Sequence, residues 1–175
     1  MATMKYCKIL DEETGLVQLG AGCPDEYYIA IGMELRSVQQ SDINYQWYLA
    51  EKCPMKTEEQ KFAEAKQDKI RENDMARDYA LNAGVTYKNV LFDSDTDQKV
   101  NLLAMVSAMP DEDTIVWYGK DNQPLECNKE DLTNIGMLIT QLHTFCWTKN
   151  AEIKAEIAAA NNYNDLNKIV IDYKM

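Results

Sequence analysis

The sequence predicts an α+β fold, with a small N-terminal antiparallel β module, a polar connector helix and a C-terminal α+β domain containing a long helix. Residues 1–50 alternate short β-prone runs with turn signals, and after Pro54 the chain changes to strong helix formers. From Leu132 to Ala160 apolar residues recur at steps of three and four. These shifts place boundaries at residues 1–54, 55–84 and 85–175. With 175 residues and a hydrophobic fraction of 46%, the chain has ample material for a buried core.

In the first module KYCKIL, LVQLG, EYYIAIGM and LRSVQQ read as strands, separated by the DEETG and AGCPDE turns in the manner of a meander. INYQWYLAEKCP closes the module with Tyr45, Trp47 and Tyr48. Trp47 either packs across the sheet or is displayed to a partner, and its place beside alternating residues favours packing. Thr57 and Gln60 form a capping box for a helix that runs to Gly84, a residue suited to a helix stop. The apolar content of its first half is thin, which suggests an exposed connector.

Tyr87–Phe92 reads as one strand, and FDSDTD as an Asx-type turn with Ser94 or Asp97 as the cap of a helix ending at Pro110. Asp93, Asp95 and Asp97 have the spacing that opens a calcium loop. Gln98 stands where such a loop needs glycine, however, and Ala104 where it needs the closing glutamate. A strand pair follows across KDNQP. Asn128 and Asp131 then cap the longest helix, whose positions Leu132, Ile135, Ile139, Leu142, Ile153 and Ile157 carry the rhythm, with a slip at Asn150. That stripe suits either a seam between chains, in which Asn150 fixes register, or the domain's own core; Gly136, Met137 and Leu138 widen it toward the second. Asn164 is the expected cap of a short terminal helix burying Leu166, Ile169, Val170 and Tyr173 on one face.

Eighteen basic against 29 acidic residues leave a formal net charge of −11, which disfavours nucleic acid in the absence of a basic patch. The N-terminal MATMKYCKILDEE lacks the apolar core of a signal peptide, and no run reaches bilayer-spanning length, so folding in a cytoplasm and no membrane partner are expected. Five scattered cysteines show no metal-binding spacing and read as reduced thiols. His143 and Cys146 lie three apart on one helix face, a spacing that permits thiol activation, but both fall on the predicted buried stripe. No phosphate loop, nucleophile elbow or zinc motif occurs. The expectation is a protein that is not an enzyme, with no catalytic, cofactor or metal residues.

The ETG turn, QWYL before a polar helix, and KIREND...ALNAGVTYKNVLFDSDTDQKVNL resemble bacteriophage tail-fibre-associated and tail-fibre-assembly proteins. IVWYGKDNQPLECNKEDLTNIG, with its W-x-x-x-D-N pattern (Trp117, Asp121, Asn122), and AEIKAEIAAANNYNDLNKI are similar to a C-terminal domain of unassigned function on phage tail and baseplate proteins. The resemblance covers most of the chain from about Lys69 onward and implies an α+β fold without a reaction. It also implies a phage or prophage tail accessory protein that caps or adapts a tail-fibre or baseplate protein, located in the virion tail or in the infected host's cytoplasm during assembly. Tyr45, Trp47, Tyr48, Leu132, Ile135, Ile139, Leu142, Ile153 and Ile157 are the expected partner-binding residues, with homo-oligomerisation a further use of the helix. A transient fibre-assembly chaperone and an acidic host-directed inhibitor are the alternatives.

Overall fold

The fold is described from a computed structural model covering residues 1–174. It is α+β and divides into two compact units, residues 1–61 and 62–175.

In the first unit, β1 (Thr3–Asp11), β2 (Leu16–Leu19), β3 (Glu34–Gln40) and β4 (Trp47–Leu49) close into an antiparallel barrel in the order β1-β2-β4-β3. This is not the expected meander, because β3 pairs with both β1 and β4 and thereby removes the free edges. Cys7, Val17, Val38 and Leu49 fill the interior, and Ile9, Leu19 and Trp47 pack against them. The EYYIAIGM segment is helical: α1 spans Asp25–Ala30, with Pro24 at its N-cap and Asp25 and Glu26 in its first turn. A single 3-10 turn, Ala50–Lys52, follows β4.

Helix α2, Glu58–Asn82, begins with the predicted capping box: Gln60 N–H donates to Thr57 Oγ1 at 3.1 Å and Thr57 N–H to Gln60 Oε1 at 2.9 Å. From Phe62 onward it belongs to the second unit. Its first half is not an exposed connector, because Phe62, Ala65 and Ile70 pack on the buried Ile153, Ile157, Ala160 and Leu166. The stretch read as one strand is a hairpin, β5 (Val85–Tyr87) and β6 (Val90–Phe92). Lys88 and Asn89, at φ 49° and 65°, form the two-residue turn whose twist matches paired strands.

Asp95, rather than Ser94 or Asp97, caps α3 (Thr96–Ala108), accepting from Gln98 N–H at 2.7 Å. Ser94 is buried, and its hydroxyl donates to the Leu81 carbonyl. Strands β7 (Thr114–Tyr118) and β8 (Pro124–Asn128) form a second hairpin. A Cβ on Gly119 would lie 2.5 Å from the Leu91 carbonyl oxygen, and this close approach lets Lys120 N–H donate to that oxygen at 2.7 Å.

The Asn128–Asp131 capping box starts α4, Lys129–Ala159. Its stripe forms the core with Phe92, Leu102, Met109 and Cys127. The terminal helix α5 spans Tyr163–Lys168 and is capped by Asn162, not Asn164; Val170 lies beyond it and is exposed.

A buried polar cluster joins α2, α4 and the C-terminal segment. Asn73 Nδ2 donates to the Asn150 carbonyl at 3.2 Å, and Asn150 Nδ2 donates to Asp74 Oδ1 at 2.9 Å. Tyr173 O–H donates to Asn73 Oδ1 at 2.7 Å. Lys154 and Arg77 reach the Asp74 carboxylate at 2.7 and 3.1 Å. Burial pushes the Asp74 pKa up, but hydrogen bonds from Lys154 and Asn150 and the charges of Lys154 and Arg77 outweigh it and hold the group below its usual value. Asn150 therefore fixes register inside the chain.

Asn73→Ala removes one of the donors to the buried Asn150 carbonyl and the Oδ1 acceptor of the Tyr173 hydroxyl, and should cost about 1–3 kcal/mol in urea denaturation. Tyr173→Phe, which leaves one acceptor short, should cost about 1 kcal/mol.

Candidate interaction surface

The outward face of β1 alternates with the barrel interior, so Met4 and Tyr6 point away from Cys7. The β1–β3 register sets Tyr6 opposite Leu35 and Met4 opposite Ser37. Helix α1 lays Tyr28 on this face, its ring stacked on Tyr6 at 5.2 Å with an interplanar angle of 23°. The Tyr28 hydroxyl accepts from Cys23 N–H at 2.6 Å. Gly20 makes room for the ring, since a Cβ there would lie 2.4 Å from Tyr28 Cε1. Tyr27 meets Tyr28 edge-on at 6.0 Å.

The result is an outer cluster in which Tyr28 is a buried anchor, while Met4, Tyr27 and Leu35 stand 61%, 53% and 50% exposed. Burial first, then the carboxylates of Asp25 and Glu26, raise the Tyr6 phenol above its ordinary value. The phenol stays neutral over the physiological range, and the cluster has an acidic border. Tyrosines of this kind supply large, stiff, amphipathic contact area.

The expected binding residues differ among themselves in exposure. Tyr45 is exposed at φ 61°. Trp47 packs on the barrel core with the Lys5 ammonium 4.7 Å from its ring centroid. Tyr48 is buried, its hydroxyl accepting from Asn44 Nδ2 at 2.8 Å and donating to Gln46 Oε1 at 3.2 Å. Leu132, Ile135, Ile139, Leu142, Ile153 and Ile157 are all buried within their own unit, because the hairpins, α2 and α3 cover the stripe.

His143, Cys146 and Asp131 of the second unit are held in contacts of their own. The His143 ring contacts the Ser94 carbonyl oxygen at 2.6 Å through Nε2; a carbonyl only accepts, so Nε2 carries the proton. Burial raises the Cys146 thiol, with Arg77 opposing. That is the reverse of what an activated nucleophile needs. The Asp131 carboxylate is held below its usual range by Lys88 first, against burial, with help from Tyr87 and the Asn128 N–H. Among the described residues no group of three or more His, Cys, Asp or Glu is placed to hold a metal, and no helix is long and apolar enough to cross a membrane. The buried indole N–H of Trp117 has no acceptor among those residues.

A small antiparallel β barrel followed by a helical α+β unit with an occupied core defines a two-unit α+β protein. The chain belongs to the family described as "Domain of unknown function (DUF4376)", whose model matches residues 64–174. No curated protein and no solved structure matches it. The family segment coincides with the second unit, and the aromatic barrel lies outside it.

Asp131 has a depressed folded pKa, so its stabilising contribution is full above the unfolded carboxylate value of about 3.9 and disappears as pH falls through the folded value. Acid denaturation of Asp131→Asn should therefore be shallower below about pH 4 than that of the wild type, followed by circular dichroism.

Proposed function

We propose that this protein is a non-enzymatic accessory component of a phage or prophage tail, a cap or adaptor that binds a tail-fibre or baseplate protein through the outer aromatic face of its barrel. The observation that carries this reading is the Tyr6–Tyr27–Tyr28–Leu35 cluster. It combines a buried anchor with half-exposed apolar neighbours, an arrangement that gives affinity when a partner completes its desolvation. Engagement of His143, Cys146, Asp74 and Asp131 in structural contacts favours binding over catalysis. The sequence resemblance to tail-fibre-associated proteins supplies the partner class.

Co-expression with the protein encoded immediately upstream, followed by light scattering, tests the reading. A stable complex is expected, weakened at least tenfold by Tyr27→Ser with Leu35→Ser, both exposed enough for the barrel to stay folded. A complex indifferent to those changes would move the contact elsewhere, and absence of any complex would remove the tail reading. Presence in purified virions distinguishes a resident cap from a transient chaperone.

A further inference from the structure

Charged residues make up 27% of the chain, yet none lies between Val100 and Pro110 or between Leu132 and Thr148. The first stretch is most of α3 and the second is the half of α4 that α3 packs against, so the two form one uncharged face. A groove of about 370 Å³ runs between the helices, lined by Leu102, Leu103, Val106, Gly136, Met137 and Thr140. Leu103 and Met137 stand on its walls 68% and 53% exposed, and Val100 is 59% exposed nearby on α3. An acidic protein of this composition has charge enough to cover such a patch. Depletion of charge at the centre of a surface is what distinguishes an interface.

Gly136 adds a second feature. Glycine inside a helix is destabilising relative to alanine, and here its φ is not positive and an added Cβ would meet nothing within 4 Å. Packing within the chain gives no reason for the residue. The face therefore carries protruding apolar knobs, Leu103 and Met137, beside an open hole above Gly136. A surface that meets its own copy across a two-fold axis needs both, because it must be complementary to itself.

Charge selects the same partner. Lys99, on the groove wall one turn before Leu103, is the one charged residue lining the groove and has no ion-pair partner among the described residues. Beyond the other end of α3, Glu112 and Asp113 are exposed acids that likewise lack a cation. Antiparallel pairing of two α3 helices about Leu103 brings Lys99 of each copy to the C-terminal end of the other's α3, where the last carbonyls and these acids supply negative charge.

We propose that the α3–α4 face docks a second copy of this chain, forming a two-fold dimer in which Leu103 of one copy enters the groove beside Gly136 of the other. The assignment is independent of the tail reading.

Light scattering and sedimentation of the full chain over a concentration series test it. The wild type is expected at twice the 20.1 kDa chain mass, and Leu103→Asp and Gly136→Leu at 20.1 kDa with unchanged circular dichroism. Lys99→Glu should weaken association about threefold to tenfold, and adding Glu112→Lys and Asp113→Lys to the same chain should restore it. A wild type that stays monomeric to about millimolar concentration overturns the proposal. So does a dimer that survives both Leu103→Asp and Gly136→Leu, which would place the interface elsewhere. A monomer that binds the upstream protein through its barrel face overturns the dimer and leaves the tail reading standing. A dimer that ignores the upstream protein does the reverse.

Discussion

Asn73 is the point on which the C-terminal unit depends. Its amide is fully buried in α2, gives its N–H to the Asn150 carbonyl of α4 and takes the Tyr173 hydroxyl from the C-terminal segment. Aliphatic contacts between α2 and α4 tolerate sliding by a residue or a turn, because one methyl group substitutes for another. The amides do not, since a shifted register leaves several buried polar groups without partners. Asp74, with Lys154, Arg77 and Asn150 around it, extends the same constraint toward the surface, and Arg77 continues it by stacking 4.3 Å over the Trp147 ring. With α4 locked to α2, the hairpins β5–β6 and β7–β8 have a fixed wall to cover, and Gly119 lets the second loop dock on β6.

The two units divide their apolar surface differently. The barrel buries only a small interior, and the large side chains it cannot enclose gather outside around Tyr28. A domain of this size has too little volume to hide all its aromatics, so a displayed cluster with a locked anchor is available for contact at low entropic cost. The helical unit encloses its main stripe completely and leaves its uncharged surface on the α3–α4 side. Aromatic stacking on one unit and a largely apolar helical groove on the other, with Lys99 as its one charged lining residue, are different surface chemistries.

Much of the helical scaffold is legible in the sequence. Thr57 with Gln60, and Asn128 with Asp131, are caps whose partners lie three residues away, and the rhythm from Leu132 to Ile157 reports one helix face without outside information. The uncharged runs of α3 and α4 are legible too, as gaps in an otherwise charge-rich chain, although apolar periodicity draws the eye to the buried stripe instead. EYYIAIGM was open to the strand reading because propensity is a weak prior that Tyr28, seated against Gly20 and Tyr6, overrides. The hairpin at Lys88–Asn89 lacks the glycine that usually marks such a turn.

By itself, then, the sequence determined the α+β class, the positions of the long helices and their caps, and the acidic net charge, all consequences of interactions within a few residues or of composition. Only the tertiary structure decided that β3 closes the barrel, that Asn150 answers to Asp74 and Asn73 rather than to another chain, and that Tyr6, Tyr28 and Leu35 form one surface. Those outcomes depend on partners far apart in sequence. No local pattern encodes them, because the packing that selects each one exists only after the elements have met.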